Sequence, residues 1–425
     1  MTQAFRSVRV VLLLVAGVLV AGCSTCPCST EKTTMPTAST DAASPAPSPV
    51  KDWKRIAIVS HSLSDGNTWP YLLRQALVEA GRPEPYLINA AAGGDMAAAS
   101  LRRFDWATLR FNPDLVIFFI GRANVGRITA DEYQAAMTEM ITRAQAQGAD
   151  ILLMVGRMPF PGIGPSEMGN DVKAGEIVAR QRAKIAADTG EPLIDLDNPP
   201  ANRTDDQILR ALAARYNCMV CETTPPMVDA FEQRIWLWEP DLAHWNFEGY
   251  QAALRGVLDG LGYKNVAVPR VSKIRVIPGL ITTWKLRPFA AGEANLTEET
   301  VVKLAPGDGW KTYTLPEEKP LGSWWEDQCR VEGYAMSLAK TLGQAKRYVG
   351  VATYRAESAG KAFVNTGGHL QAVWVNGKKI FQVGLWDGFH IGTHRIEVDM
   401  NAGDNTIVIE TGTQFGLSIT PGLLW

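Results

Sequence analysis

The sequence is short of histidine, of net charge and of long apolar runs, and each shortage narrows what the chain can do. Forty-two Lys and Arg stand against 44 Asp and Glu, a formal net charge of −2. A nucleic-acid binder needs a basic footprint, so nucleic acid is not an expected partner. No polybasic stretch marks a peripheral membrane surface either. The apolar run Val10 to Gly22 is too short to cross a hydrocarbon core of about 30 Å comfortably. No internal repeat of fixed period appears, and no GxxxxGK[ST] loop occurs; Gly93-Gly94 alone is weak support for a phosphate cradle. Asp105, Asp114 and Asp195 show no partner carboxylate at glycosidase-like spacing. What remains is ordinary globular composition, 46% hydrophobic and 20% charged, in a chain of 425 residues, long enough for two domains.

Arg6 and Arg9 precede the apolar run, and a charged segment ahead of a short apolar one reads as a secretory signal, residues 1–22. The run ends Val20-Ala21-Gly22-Cys23, which resembles the bacterial lipobox. That resemblance implies lipidation of Cys23 and a place in the bacterial cell envelope, with the membrane engaged only through the N-terminal lipid. Several acyl chains on one cysteine give stable anchoring where a single chain is marginal. Residues 23–52 are rich in Ser, Thr, Pro and Ala, cannot bury enough surface to offset ordering entropy, and are expected to form a flexible tether. Cys218-Met-Val-Cys221 has the spacing of a zinc or redox site, but no second CxxC accompanies it. In an oxidising compartment a local Cys218–Cys221 disulfide is the expectation, and no metal site is expected.

Residues 53–266 alternate strand-like and helix-like patterns. Strands are predicted at Arg55–Ser60, Tyr86–Asn89, Asp114–Ile120, Ile151–Val155 and Pro192–Leu196. Helices are predicted near Trp69–Ala80, Ala130–Gln147, Asp171–Ala187, Gln207–Arg215 and Phe247–Leu261. Runs such as Leu115-Val116-Ile117-Phe118-Phe119-Ile120 are apolar on both faces, as a parallel sheet covered by helices requires. The fold class is therefore α/β, a doubly wound parallel sheet. After a linker over 267–283, residues 284–425 turn β-prone and rich in turn residues. Asn376-Gly377 between Val373-Trp374-Val375 and Lys378-Lys379-Ile380 is a strong hairpin signal. An antiparallel β-sandwich is expected there.

The five histidines are His61, His244, His369, His390 and His394. A serine nucleophile needs a general base within hydrogen-bond reach, usually imidazole, and within the α/β region only His61 and His244 can supply it. His244 lies in Asp241-Leu-Ala-His244-Trp-Asn-Phe-Glu-Gly249-Tyr250, just ahead of the last helix of that region. An i, i+3 spacing in a helical turn sets carboxylate and imidazole on one side. Taken alone, the same spacing suits a capping turn equally well. Ser62 follows the first predicted strand, in a loop ahead of Pro70, at the carboxyl edge where ligands meet parallel sheets. By itself that loop is also an ordinary Ser- and Gly-rich turn.

Together these segments resemble the SGNH (GDSL-like) hydrolase superfamily. Ser60-His61-Ser62-Leu63 occupies the place of GDSL, and Asp241…His244-Trp-Asn246…Gly249-Tyr250 matches DxxHPNxxGY apart from Trp245. Asn89-Ala-Ala-Ala-Gly-Gly94-Asp95 resembles the second block, and Gly121-Arg122-Ala123-Asn124 stands for the third, GxND. The resemblance implies a flavodoxin-like α/β fold and a carboxylic ester hydrolase with the triad Ser62, His244 and Asp241. It also implies an oxyanion hole from Ser62, Gly94 and Asn124, and no cofactor. Two departures stand out. Ser60 and His61 replace Gly and Asp, tuning packing and not the attack. Asn124 falls one residue late, so a bulge must present it, or the hole loses a donor worth about 3–4 kcal/mol unless Arg122 substitutes.

The segments Ala372–Lys379 and Val398–Thr406, and the opening Trp284-Lys-Leu-Arg-Pro-Phe289, look like β-sandwich modules attached to bacterial carbohydrate-active enzymes. Of the tryptophans at 284, 310, 324, 325, 374, 386 and 425, most are expected in the core. The expected substrate is an acylated glycan or other ester, with removal of O-acetyl groups from polysaccharide in front. The alternatives are a lipid or thioester hydrolase, and a catalytically degenerate carbohydrate-binding lipoprotein.

Overall fold

Strand β1 (Arg55–Ser60) supplies Ile56, Ala57, Ile58 and Val59, all fully buried, with Ile56 and Ile58 in one core and Ala57 and Val59 in another. A strand apolar on both faces must sit between two helical layers, and this one does. It pairs in parallel with β2 (Tyr86–Asn89) and β3 (Leu115–Phe119); β4 (Asp150–Val155) and β5 (Met219–Glu222) complete a parallel sheet of order β2-β1-β3-β4-β5. That is the flavodoxin-like doubly wound arrangement, whose ligands collect at the carboxyl edge. The computed structural model describes residues 50–66, 68–122, 128–156, 165–273, 277–315, 337–383 and 390–425, all within one unit, Val50–Trp425.

Helices α1 (Trp69–Glu79), α2 (Ala97–Ala107), α3 (Ala130–Ala146), α4 (Pro165–Met168), α5 (Asp171–Gly190), α6 (Asp205–Tyr216), α7 (Thr224–Glu232) and α8 (Phe247–Gly260) cover the sheet. Their starts follow from local chemistry. Thr129 and Thr204 form capping boxes with Glu132 and Gln207, and Pro70 sits in the first turn of α1. Helix α8 buries Tyr250, Ala253, Leu254, Val257 and Leu258; each larger side chain contributes roughly 1.5–3 kcal/mol on leaving water.

Two expectations fail here. Pro192–Leu196 forms no strand, with Leu193 exposed; the fifth strand is Met219–Glu222, inside the CxxC segment. The Cys218–Cys221 disulfide is absent, and both thiols are free. Side chains alternate across a strand, so an i, i+3 pair in extended backbone points to opposite faces. Cys218 and Val220 pack on one core, Met219 and Cys221 on the other. Burial pushes the Cys218 thiol up to about 11 and that of Cys221 well above the ordinary value.

The second domain is antiparallel: β6 (Thr283–Pro288), β7 (Lys311–Thr314), β8 (Tyr348–Ala356), β9 (Gly360–Val375), β10 (Lys378–Gln382), β11 (His394–Met400) and β12 (Gly403–Thr420), with short helices α9 (Glu298–Val302) and α10 (Leu338–Leu342). The order is β10-β9-β12-β8-β6-β7, with β11 on β9. Residues from both ends of the long strands β9 and β12 meet in one core with Trp284, so the sheet folds over itself as a β-sandwich does. Asn376 and Gly377, at φ 50 and 85, form the two-residue turn between β9 and β10. Trp284 and Trp374 are fully buried; Trp310 and Trp425 are half-buried, and 324, 325 and 386 lie outside the described residues. Among the described residues no helix is long and apolar enough to cross a membrane. Cys23 and Asn124 also lie outside them.

Candidate active site

Strand β1 ends at Ser60, whose hydroxyl donates to the Phe119 carbonyl at 2.7 Å and meets Ser64 Oγ at 2.7 Å. Trp69 Nε1 donates to the same Ser64 oxygen at 2.8 Å. The chain between these anchors is a single 3-10 turn, Ser62–Ser64, capped by His61, whose ring accepts from the Leu63 amide at 3.4 Å. The Ser that replaces the family glycine thus has a structural task, and His61 a capping one. Ser62 is half-buried at the head of this turn, just past the sheet's carboxyl edge.

Beyond β2 the chain stays extended beside β1: the amides of Ala90 and Ala92 donate to the carbonyls of Ile58 and Ser60. This brings the Gly93-Gly94 turn level with the Ser62 loop. Gly94 is exposed with φ +72, a left-handed conformation that favours glycine. Asp65 Oδ2 accepts from the Gly93 amide at 3.0 Å, and Asn89 Nδ2 donates to the Ser64 carbonyl at 2.8 Å, so the two loops are tied together.

The third contribution comes from the segment before α8. Asp241 Oδ2 lies 2.6 Å from His244 Nδ1, and its other oxygen accepts from the amides of Ala243 at 2.9 Å and His244 at 3.0 Å. The segment is not the helical turn expected from the spacing. It is a tight turn with Leu242 at φ 57, closed by the Glu239 amide donating to the His244 carbonyl at 2.8 Å. Partial burial pulls the Asp241 carboxyl upward, but hydrogen bonds from the His244 ring and from the His244 and Ala243 amides outweigh it and hold its pKa below the usual carboxylate value. Asn246 caps α8 by accepting from the Gly249 amide at 3.0 Å. A Cβ on Gly249 would lie 2.3 Å from the Leu237 carbonyl oxygen and 2.7 Å from Trp245 Cβ, which explains the glycine of this block.

Trp245, where the family pattern has Pro, is fully buried and stacks on Phe119 with centroids 5.5 Å apart; the His61 ring lies 5.2 Å from the same phenyl. Phe119 is the register partner of Ser60. The two blocks therefore meet at one sheet edge, through Phe119. Among the described residues no hydrogen bond joins Ser62 to His244. Arg122 is tied to Asp205: its Nε donates to Oδ1 at 2.6 Å and its amide to Oδ2 at 3.2 Å. Among the described residues no group of three or more His, Cys, Asp or Glu is disposed to hold a metal.

Residues 56–252 match the GDSL-like Lipase/Acylhydrolase family. No curated protein matches the chain. Similar solved structures include an acetylxylan esterase from Geobacillus stearothermophilus, 13% identical, over 51% of this chain and 97% of that one, TM-score 0.37. A psychrotrophic esterase from Pseudoalteromonas sp. is 18% identical, over 49% of this chain and 97% of that one, TM-score 0.35. An alpha/beta hydrolase enzyme from the metagenome of Lake Arreo is 15% identical, over 50% and 96%, TM-score 0.37. Residues 56–252, built on the parallel sheet, are a domain of the GDSL-like lipase/acylhydrolase family, and the chain is a carboxylic ester hydrolase.

Proposed function

We propose that the chain is a serine esterase that removes acyl groups, O-acetyl foremost, from polysaccharide, with Ser62 as nucleophile, His244 as general base and Asp241 as its orienting carboxylate. The observation that carries this reading is the 2.6 Å contact between Asp241 Oδ2 and His244 Nδ1, at the edge to which β1 delivers Ser62. With Nδ1 held by the carboxylate, Nε2 is the nitrogen that takes the serine proton. Ser62 Oγ attacks the ester carbonyl, and the amides of Ser62 and Gly94, with the Asn124 side chain, hold the developing oxyanion. His244 then protonates the departing alcohol, and water, deprotonated by the same imidazole, releases the acid and frees Ser62. Catalytic hydrogen bonds are often long in unliganded enzymes and tighten around the substrate, which accommodates the open Ser62–His244 contact.

Side-chain exposure of 40% for His244 and 51% for Asp241 supports an open, polar mouth over the closed apolar groove a lipid chain requires. The likeness of the second domain to modules of carbohydrate-active enzymes points the same way. Hydrolysis of p-nitrophenyl acetate by the wild type and its loss in Ser62→Ala is the direct test; unchanged activity in the variant rejects the nucleophile. Acetate release from a panel of acetylated glycans, set against hydrolysis of long-chain p-nitrophenyl esters, separates glycan from lipid substrates. Anchoring through lipidated Cys23 completes the proposal, and Cys23→Ala should move the protein from the membrane to the soluble fraction.

A further inference from the structure

We propose that His390, supplied by the β domain, is a positioning residue of the esterase centre, clamping both the loop that carries Ser62 and the loop that carries Gly94; the inference rests on the triad reading above. His390 is 1% exposed, and so is Asp65. Its Nδ1 lies 2.8 Å from Asp65 Oδ1, which also receives the His390 amide at 3.3 Å. Its Nε2 lies 2.6 Å from the Asn89 carbonyl oxygen, with Thr393 Oγ1 at 3.3 Å. A carbonyl only accepts, so Nε2 donates to Asn89, while Nδ1 pairs with the Asp65 carboxyl.

Each bond ends on a group already tied to the centre. Asp65 closes the 3-10 turn through its amide, which donates to the Ser62 carbonyl at 3.3 Å, and its Oδ2 takes the Gly93 amide at 3.0 Å. Asn89 begins the extended stretch that leads to Gly94, and its side chain returns to the Ser64 carbonyl. One imidazole from the other domain thus fixes the spacing between nucleophile and oxyanion amide. Simple adhesion between the domains is served elsewhere. Trp106 stacks on His394 at 4.8 Å, Arg395 lies over Phe111 at 5.2 Å, and Arg110 donates to the Arg395 carbonyl at 3.1 Å. Those contacts touch α2 and the turn after it, not the loops. The β domain is then part of the catalytic apparatus and not an appendage that merely holds glycan.

The test uses the full chain, with p-nitrophenyl acetate as probe and near-ultraviolet circular dichroism to fix the folded fraction. A displacement of about 1 Å at a reacting centre costs on the order of 100-fold, so His390→Ala should lower kcat per folded molecule by about that factor with KM within about threefold. His390→Gln, which keeps a donor, should recover about tenfold of the loss. Trp106→Ala should lower the unfolding midpoint while leaving kcat within about threefold, because its ring stacks on His394 and not on His390. A His390→Ala protein whose kcat stays native, or falls no further than that of Trp106→Ala, overturns the proposal. So does loss of fold in both His390 variants, which assigns the pair to stability alone. Activity surviving in Ser62→Ala sinks the triad reading instead, a result distinct from a silent His390→Ala beside a dead Ser62→Ala.

Discussion

Among the described residues stand two aspartate–histidine pairs of nearly equal length in opposite surroundings. Asp241–His244 spans three residues, sits in a solvent-facing turn and spends one ring nitrogen on the carboxylate. Asp65–His390 spans 325 residues, is sealed between domains and spends both nitrogens on protein partners. The chemistry of the pair is the same; what the second nitrogen faces decides its use. A ring with one nitrogen uncommitted can move a proton, whereas a ring bonded on both sides can only hold its neighbours in place.

Substitutions can break this contrast, and the largest effect falls on the open pair. His244→Ala should lower kcat/KM on p-nitrophenyl acetate by on the order of 10⁴-fold, with little change in thermal midpoint. Asp241→Asn keeps the shape but not the charge, and should cost about 10³-fold in kcat. The buried pair should invert the pattern of stability. Asp65→Asn leaves His390 without its carboxyl partner and should lower unfolding free energy by about 3–5 kcal/mol in urea titrations, against under about 1 kcal/mol for Asp241→Asn at a half-exposed site. That smaller difference has a direction in pH. The Asp241 carboxyl is held below its ordinary value, so its contribution is complete above the unfolded pKa of about 4 and fades as pH falls through the lowered one. Parallel melts of wild type and Asp241→Asn at neutral and acid pH should therefore converge on the acid side. The smallest effect belongs to the two thiols of β5 and its approach, Cys218 and Cys221: Cys221 should react with thiol reagents only on unfolding.

Much of the α/β domain was legible because its strands are apolar on both faces and several of its helices begin at Thr or Asn caps or with an early Pro. Arg55–Ser60 and Tyr86–Asn89 appear with the expected bounds. The fifth strand was not legible, since Met219–Glu222 is four residues long and its cysteines suggest a staple before they suggest a strand. Leu193-Ile194 offered a more apolar run nearby, but its backbone finds no ladder. Helix α7 begins Thr-Pro-Pro, a turn signal that also fits a first helical turn. At the site, the Asp241–His244 pairing followed from spacing, although a left-handed Leu242 and not a helical turn produces it. His390 was missed for a clear reason. It lies 325 residues from Asp65, in the β domain, and enters the α/β domain only through the tertiary fold. A census of all five histidines against every nearby carboxylate needs tertiary contacts that no local pattern encodes.

The position of β12 has a consequence for how the molecule is assembled. This strand, Gly403–Thr420, lies between β9 and β8 near the middle of its sheet, and its Ser418 bridges back to Leu280. During synthesis the parallel sheet can form while β9 waits for the strand that will flank it. In order of synthesis the strands of the hydrolase sheet precede the β domain that brings His390 to the reactive loops.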